Sequence, residues 1–242
     1  MIQLAIKEFN SFLNSLIAYL VIGVFLTGIG LMVWVFPESS ILNYGYASLD
    51  PMFAYAPFVY IFLIPAITMR SFAEEKKIGT LEWLMSKPLS DWDIILGKYM
   101  ASGLLVFLSI LPTGIYVFAL NQLGDPVGNF DLPGIMGSYL GLLLLGGVFC
   151  AAGIMASSFT SNQLTSFVWA AFISFILYSG FDSISLLVSW PGLALSIKQL
   201  GIVYHYDALS KGVIDSRDVL YFISVTYVLL LSTKIILGSR LW

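Results

Sequence analysis

The sequence predicts an all-α, polytopic membrane protein, and three observations carry that prediction. Hydrophobic residues make up 59% of the chain and charged residues only 10%, with a mean hydropathy of +0.91. A soluble globule of that composition would expose far too much apolar surface. The apolar residues fall in six runs, at 15–36, 52–71, 97–120, 132–158, 164–181 and 219–237, and a helix needs roughly 20 residues to cross a hydrocarbon core of about 30 Å. None of the runs alternates with the period of a barrel strand, and lipid offers no partner to an unpaired backbone, so each run must be a helix. A single domain, 1–242, with six transmembrane helices and no sizeable soluble part follows.

Ahead of the first run, residues 1–14 set Leu4, Ile6, Phe9 and Phe12 around Lys7 and Glu8. This is the pattern of an amphipathic helix lying in the membrane interface, with a disordered leader as the alternative. Lys7, Glu8 and Phe9 are its candidate contact residues. The first run is longer than a signal-peptide core and lacks an A-x-A-like cleavage site, so it is expected to remain as a span. Pro57 and Pro65 fall in the second run and Pro112 in the third; each removes a backbone hydrogen bond and favours a kink.

Between the second and third runs lies a polar island, 72–96, the most informative part of the chain. Gly79 permits a turn, Thr80 is placed to cap a following helix through its hydroxyl, and Glu82 sits in the first turn, where the helix dipole favours a negative charge. A short helix over 81–87 follows, with Leu81, Leu84 and Met85 sharing one face at i, i+3 and i+4. That apolar face is expected to insert into a groove on a partner protein. Pro88 stops the helix. Ser90 then starts the third long helix with Asp93 at the capping-box position, and Leu89 and Ile94 take the two positions of a hydrophobic staple.

The fourth run carries Gly137 and Gly141 four apart, then Gly147 with Ala151 and Gly153 with Ser157. Such small-xxx-small pairs predict close helix approach, either within one subunit or across a dimer. The single cysteine, Cys150, lies in the same run and reads as a small packing residue with no intrachain disulfide open to it. After the fifth run, residues 182–218 are too apolar for a free loop and their segments too short to span, which suits re-entrant or interfacial helices. Trp190, Tyr204 and Tyr206 fit an aromatic belt there. The segment either lines an exit or roofs the bundle. His205 reads as a hydrogen-bonded interfacial ring rather than a metal ligand, because no cluster of ligand spacing accompanies it, and Asp182 as an interfacial carboxylate.

Lysine and arginine set the orientation. With the N-terminus inside, Lys7, Arg70, Lys76, Lys77, Lys87, Lys98, Lys234 and Arg240, 8 of the 11 basic residues, face the cytosol, and both termini are cytosolic. The outer loops hold 8 of the 14 acidic residues, so the net charge of −3 describes an acidic exterior above a basic cytosolic face and speaks against a nucleic-acid partner. The span centres lack the carboxylates and histidines that ion-coupled transporters use. Nor is there a P-loop: Gly97-Lys98 is followed by Tyr99, and the position that needs a glycine is Trp92. No H-E-x-x-H, nucleophile elbow or convergent polar site marks the chain as an enzyme.

The combination of Glu75, Gly79-Thr80-Leu81-Glu82, Leu84-Met85 and Pro88-Leu89-Ser90, followed by Gly97-Lys98, closely resembles the cytosolic loop of permease subunits in type-2 ABC exporters. The longer text LNYGYASLDPMFAYAPFVYIFLIPAITMRSFAEEKKIGTLEWLMSKPLS is similar to the gliding-motility-associated permeases of Bacteroidota within that family, and the likeness extends over the whole chain to GVIDSRDVLYF. The resemblance implies a non-enzymatic permease in the bacterial inner membrane. Two such subunits, the same or related, would form the pathway. The N-terminal helix and the short helix over 79–87 would dock on a separate ABC ATPase that holds ATP and magnesium, this chain itself binding no cofactor. It further implies a lipid environment, a larger accessory membrane subunit and a link to gliding motility. A noncatalytic scaffold anchoring a motility or envelope assembly is the alternative. One departure stands out: the loop 158–163, SFTSNQ, has no charge, which argues that any second ATPase contact there is weak.

Overall fold

The computed structural model describes residues 1–43, 45, 47–212 and 214–239. Tyr44, Tyr46, Val213 and Arg240, which the sequence argument uses, lie outside the described residues. Among the described residues all regular structure is helical, and six helices are long and apolar enough to cross a membrane.

Helix α1 (Ile2–Leu13) buries Leu4 and Ala5 along the start of α6 (Asp91–Ile110), where a side chain in place of Gly97 would press on Leu4. The chain bends at extended Ser15, whose hydroxyl donates to the Phe12 carbonyl at 2.8 Å. Helix α2 (Leu16–Trp34) turns Ala18, Val21, Phe25, Ile29 and Val33 inward, a single stripe at helical spacing. Helix α3 (Asp50–Thr68) runs through both Pro57 and Pro65 as one helix. At Pro112 the expected kink takes a definite form: α6 gives way to a 3₁₀ turn, Leu111–Thr113, before α7 (Gly114–Leu123) completes the third span.

Helix α8 (Leu132–Ser158) is the hub, the most buried of the six spans, packed against α3, α6, α9 (Gln163–Phe175), α12 (Ile202–Ser210) and α13 (Ser216–Gly238). Its glycines make this possible. A Cβ at Gly137 would strike the Leu209 carbonyl of α12, one at Gly141 would crowd Tyr206, one at Gly147 would meet the Tyr99 hydroxyl at 2.8 Å, and one at Gly153 would collide with Thr68 of α3. All four close approaches lie within the subunit.

Two boundaries differ from those the sequence suggests. The fifth helix does not stop at Phe181; α9 continues through a π-helical turn, Ile176–Gly180, into α10 (Phe181–Leu187). Asp182 and Ser183 thus belong to the long helix, and the segment of short helices begins later, with α11 (Pro191–Gln199) and α12. Continuity wins there because the π turn satisfies the backbone, so the polar Asp182 does not end the helix. The second difference is in the polar island, which holds two short helices, α4 (Ala73–Ile78) and α5 (Thr80–Met85), instead of one. The two faces of the bundle are therefore distinct: an elbow end with α1, α4 and α5, and a cap end with α11 and α12.

Candidate functional site

The elbow is anchored to the hub by one hydroxyl. Where α3 ends, the backbone N–H groups of Phe72 and Ala73 have no helical partner, and both donate to Ser157 Oγ of α8, at 2.8 and 3.0 Å. Ser157 in turn donates to the Met69 carbonyl at 3.3 Å. One α8 turn away, Gly153 lets Thr68 approach closely, so the last turn of α3 and the first of α4 are held against α8 together.

Gly79 makes the bend between α4 and α5 in the left-handed region, φ +77°, which a residue with a Cβ rarely adopts. Because Gly79 ends α4 as well as starting α5, Thr80 is already helical and does not cap as expected. Its hydroxyl instead donates back to the Glu75 carbonyl at 3.4 Å, tying the two short helices together. Glu82 does lie in the first turn of α5, exposed.

The apolar face of α5 corrects the expectation of a docking surface. Leu81 and Leu84, 7% and 5% exposed, point into the chain's own core, with Met85 packed behind them. The outward residues are Ile78 and Trp83, 65% and 64% exposed, with the Lys87 ammonium 3.9 Å over the Trp83 ring. A six-residue helix has one apolar stripe, and the bundle takes it. Beyond α5 the local signals are realised as read: Ser90 Oγ accepts from Asp93 N at 3.2 Å, Asp93 Oδ2 accepts from Ser90 N at 3.2 Å, and Leu89 and Ile94 join the core. Pro88 is exposed in the link between the helices.

The residue that organises this end is Lys98, which sequence reasoning placed on the cytosolic side and in the Gly97-Lys98 pair but not in an ion pair. Its side chain is 2% exposed, and its ammonium sits 2.8 Å from Glu75 Oε1 and 3.4 Å from Glu8 Oε1, with the Phe72 ring 5.2 Å away. One cation thus joins α1, α4 and α6. A buried lysine with no carboxylate would be costly, and two carboxylates from two different helices answer it. A signal was present: Lys98 lies on the stripe of Ile94, Ala101 and Leu105, which the structure buries together. Beside this latch, a cavity of about 320 Å³ opens between α1 and the elbow, lined by Lys7, Glu8, Arg70, Glu74, Glu75 and Trp83 among others. Lys7 faces that polar cavity. Phe9 faces the other way, into an apolar groove against Tyr99, Met100 and Gly147.

Six apolar spans, a polar elbow carried on two short helices and a buried ion latch thus make up this end of the chain. Residues 2–237 match the protein family described as ABC-2 family transporter protein. The chain belongs to that family. As an ABC-2 permease it is the membrane component, and ATP hydrolysis is the work of a separate ATPase subunit. No curated protein matches the chain. Among the described residues of this ABC-2 permease no group of three or more His, Cys, Asp or Glu could hold a metal ion. His205 is hydrogen-bonded on both ring nitrogens, and Asp182 pairs with Lys198 at 3.6 Å.

Proposed function

We propose that the elbow end of this ABC-2 permease is the docking and transmission surface for its ATPase. In this reading Ile78 and Trp83 make the outward contact, and the Lys98 latch passes the resulting motion to α1 and α6. The observation that carries it is the division of labour in α4 and α5. Leu81 and Leu84 fix the elbow to the bundle while a tryptophan and an isoleucine stand exposed on a polar turn, where none of the described residues covers them. Glu82 and Pro88 shape the two ends of α5, so they act on transmission more than on contact. The basic residues gathered here, Lys7, Arg70, Lys76, Lys77 and Lys87, support placing this end, and both termini, in the cytosol of a bacterial inner membrane.

The pathway would be formed with a second permease subunit, with ATP and magnesium held on the ATPase. Likeness of 42–90 to gliding-motility permeases favours assignment to that machinery, a larger accessory membrane subunit included. A scaffold role in the same assembly would leave docking intact but uncouple it from cargo movement.

Docking is tested by pull-down of the ATPase from lipid nanodiscs. Burial of a large apolar side chain is worth about 1.5–3 kcal/mol, roughly 10- to 150-fold in affinity. Trp83→Glu is expected to lose at least that much, with the chain still folded and inserted. Undiminished association of Trp83→Glu would place the contact elsewhere.

A further inference from the structure

At the cap end, far along the chain from the elbow, His205 is held by two oxygens at once. Its Nδ1 lies 2.6 Å from Asp218 Oδ1 on α13, and its Nε2 lies 2.9 Å from the main-chain carbonyl of Gln199, the last residue of α11. The side chains of both His205 and Asp218 are largely buried, 13% and 10% exposed. A carbonyl oxygen only accepts, so Nε2 must carry a hydrogen. An ionised carboxylate also only accepts, so Nδ1 must carry one too; if Nδ1 is bare, the hydrogen must sit on Asp218. Either way the pair holds one proton more than a neutral imidazole facing a carboxylate. Removing it turns one of the two contacts into acceptor against acceptor.

Aromatic rings flank the pair on two sides and report on its state. The Tyr221 ring stacks on His205 with centroids 3.9 Å apart, a face suited to a cationic ring, and its hydroxyl donates to the Leu200 carbonyl at 2.6 Å. Tyr204 meets the imidazole edge-on. Three elements therefore converge on the 199–201 corner: the end of α11, the start of α12 and the first turns of α13. Of the other elements packed on α12, α8 has no charged residue, the π turn offers only Tyr178, and α10 offers Asp182, which is paired with Lys198. Asp207 faces Lys211, Lys198 and Asp182 rather than the ring; its burial pushes its carboxyl up, and the two lysines oppose that.

We propose that the His205–Asp218 pair is a proton-binding site that clasps the α11–α12 cap onto the sixth span, so that protonation closes the cap and deprotonation frees the 199–201 corner. His205 is the only histidine in the chain, which makes the site directly observable. Imidazole changes charge in the range of about pH 5 to 8, where most other side chains do not.

The test uses the full chain in lipid nanodiscs. Amide exchange of 196–206, corrected for the intrinsic pH dependence of exchange, is followed across that pH range alongside the ¹⁵N signals of the single histidine ring. Protection of the corner is expected to fall by about 10-fold or more as pH rises, the scale of one charge-assisted hydrogen bond, in step with loss of the second ring proton. His205→Gln and Asp218→Asn should each flatten the profile, and Asp207→Asn should leave it in place. A flat wild-type profile, or a pH dependence that survives His205→Gln or vanishes with Asp207→Asn, would overturn the proposal. If a variant does not insert, the wild-type ring signal and exchange profile decide the matter alone.

Discussion

Replacing Lys98 by methionine should release α1 and α4 from the bundle without unfolding it. The substitution keeps an unbranched apolar stem in the stripe of Ile94, Ala101 and Leu105 and removes only the ammonium. What it leaves behind is the cost: Glu8 and Glu75, 17% and 18% exposed, face one another with no cation between them. Removing one partner of a buried ion pair typically costs about 3–5 kcal/mol. The cavity of about 320 Å³ beside both carboxylates admits water to the freed charges, which argues for the low end, near 3 kcal/mol. That is roughly 150-fold in a local opening equilibrium.

The loss should be local, because the latch joins α1, α4 and α6 while Ser157 still holds the junction of α3 and α4 to α8. Amide exchange in nanodiscs is the assay, with α1 and α4 expected to lose protection by that factor and the centre of α8 unchanged. The latch has one carboxylate more than it needs, so Glu8→Gln, at the longer 3.4 Å contact, should cost less than Glu75→Gln at 2.8 Å. Neutralising all three residues together should restore most of the protection, since an ion cluster replaced as a whole is often close to neutral in stability. Protection in Lys98→Met within about threefold of wild type, a small fraction of the factor above, or a triple variant no better than the single one, would refute this account.

Two further outcomes are expected. Gly153→Ala sets a methyl group against the Thr68 side chain, overpacking worth about 1–3 kcal/mol, and should lower the melting temperature in lipid. Adding Thr68→Gly should recover part of the loss, less the roughly 1 kcal/mol that glycine costs inside a helix; unchanged melting of Gly153→Ala would remove the close approach from the explanation. In a Cys150→Ala background, a cysteine at position 77 should be shielded from an impermeant external reagent in intact cells and one at 125 should react. The reverse pattern would invert the orientation.

The spans were legible because lipid imposes a length and forbids an unpaired backbone, and a composition of 59% hydrophobic residues leaves no other solvent for the runs. The start of α6 was legible for a different reason: Ser90 and Asp93 are three residues apart, and a capping box is closed by its own neighbours. The elbow was not. Its helices are six residues each, far below the length at which helix formation sustains itself, so tertiary contacts decide where they begin, where they end and which way they face. The stripe of Leu81 and Leu84 reads the same from sequence whether a partner or the chain's own bundle takes it. Lys98 and Glu8 are 90 positions apart in number, and Ser157 stands 84 positions from the Ala73 N–H it accepts; no local rule pairs them.

The illegible part is thus the part whose stability is borrowed. Neither α4 nor α5 could hold its place alone, and what holds them is a short set of contacts: Ser157 from α8, the Lys98 ammonium from α6, and the buried face of α5. Ser157 and Lys98 are directional ties to two different long helices, so the elbow cannot shift without loading α6, α8 or both. An element with little stability of its own and stiff ties to several spans moves as a lever rather than melting as a loop. That is the physical requirement for passing a push from a docked ATPase into a bundle, and under the proposed function it puts the exposed Trp83 and the buried Lys98 in one device.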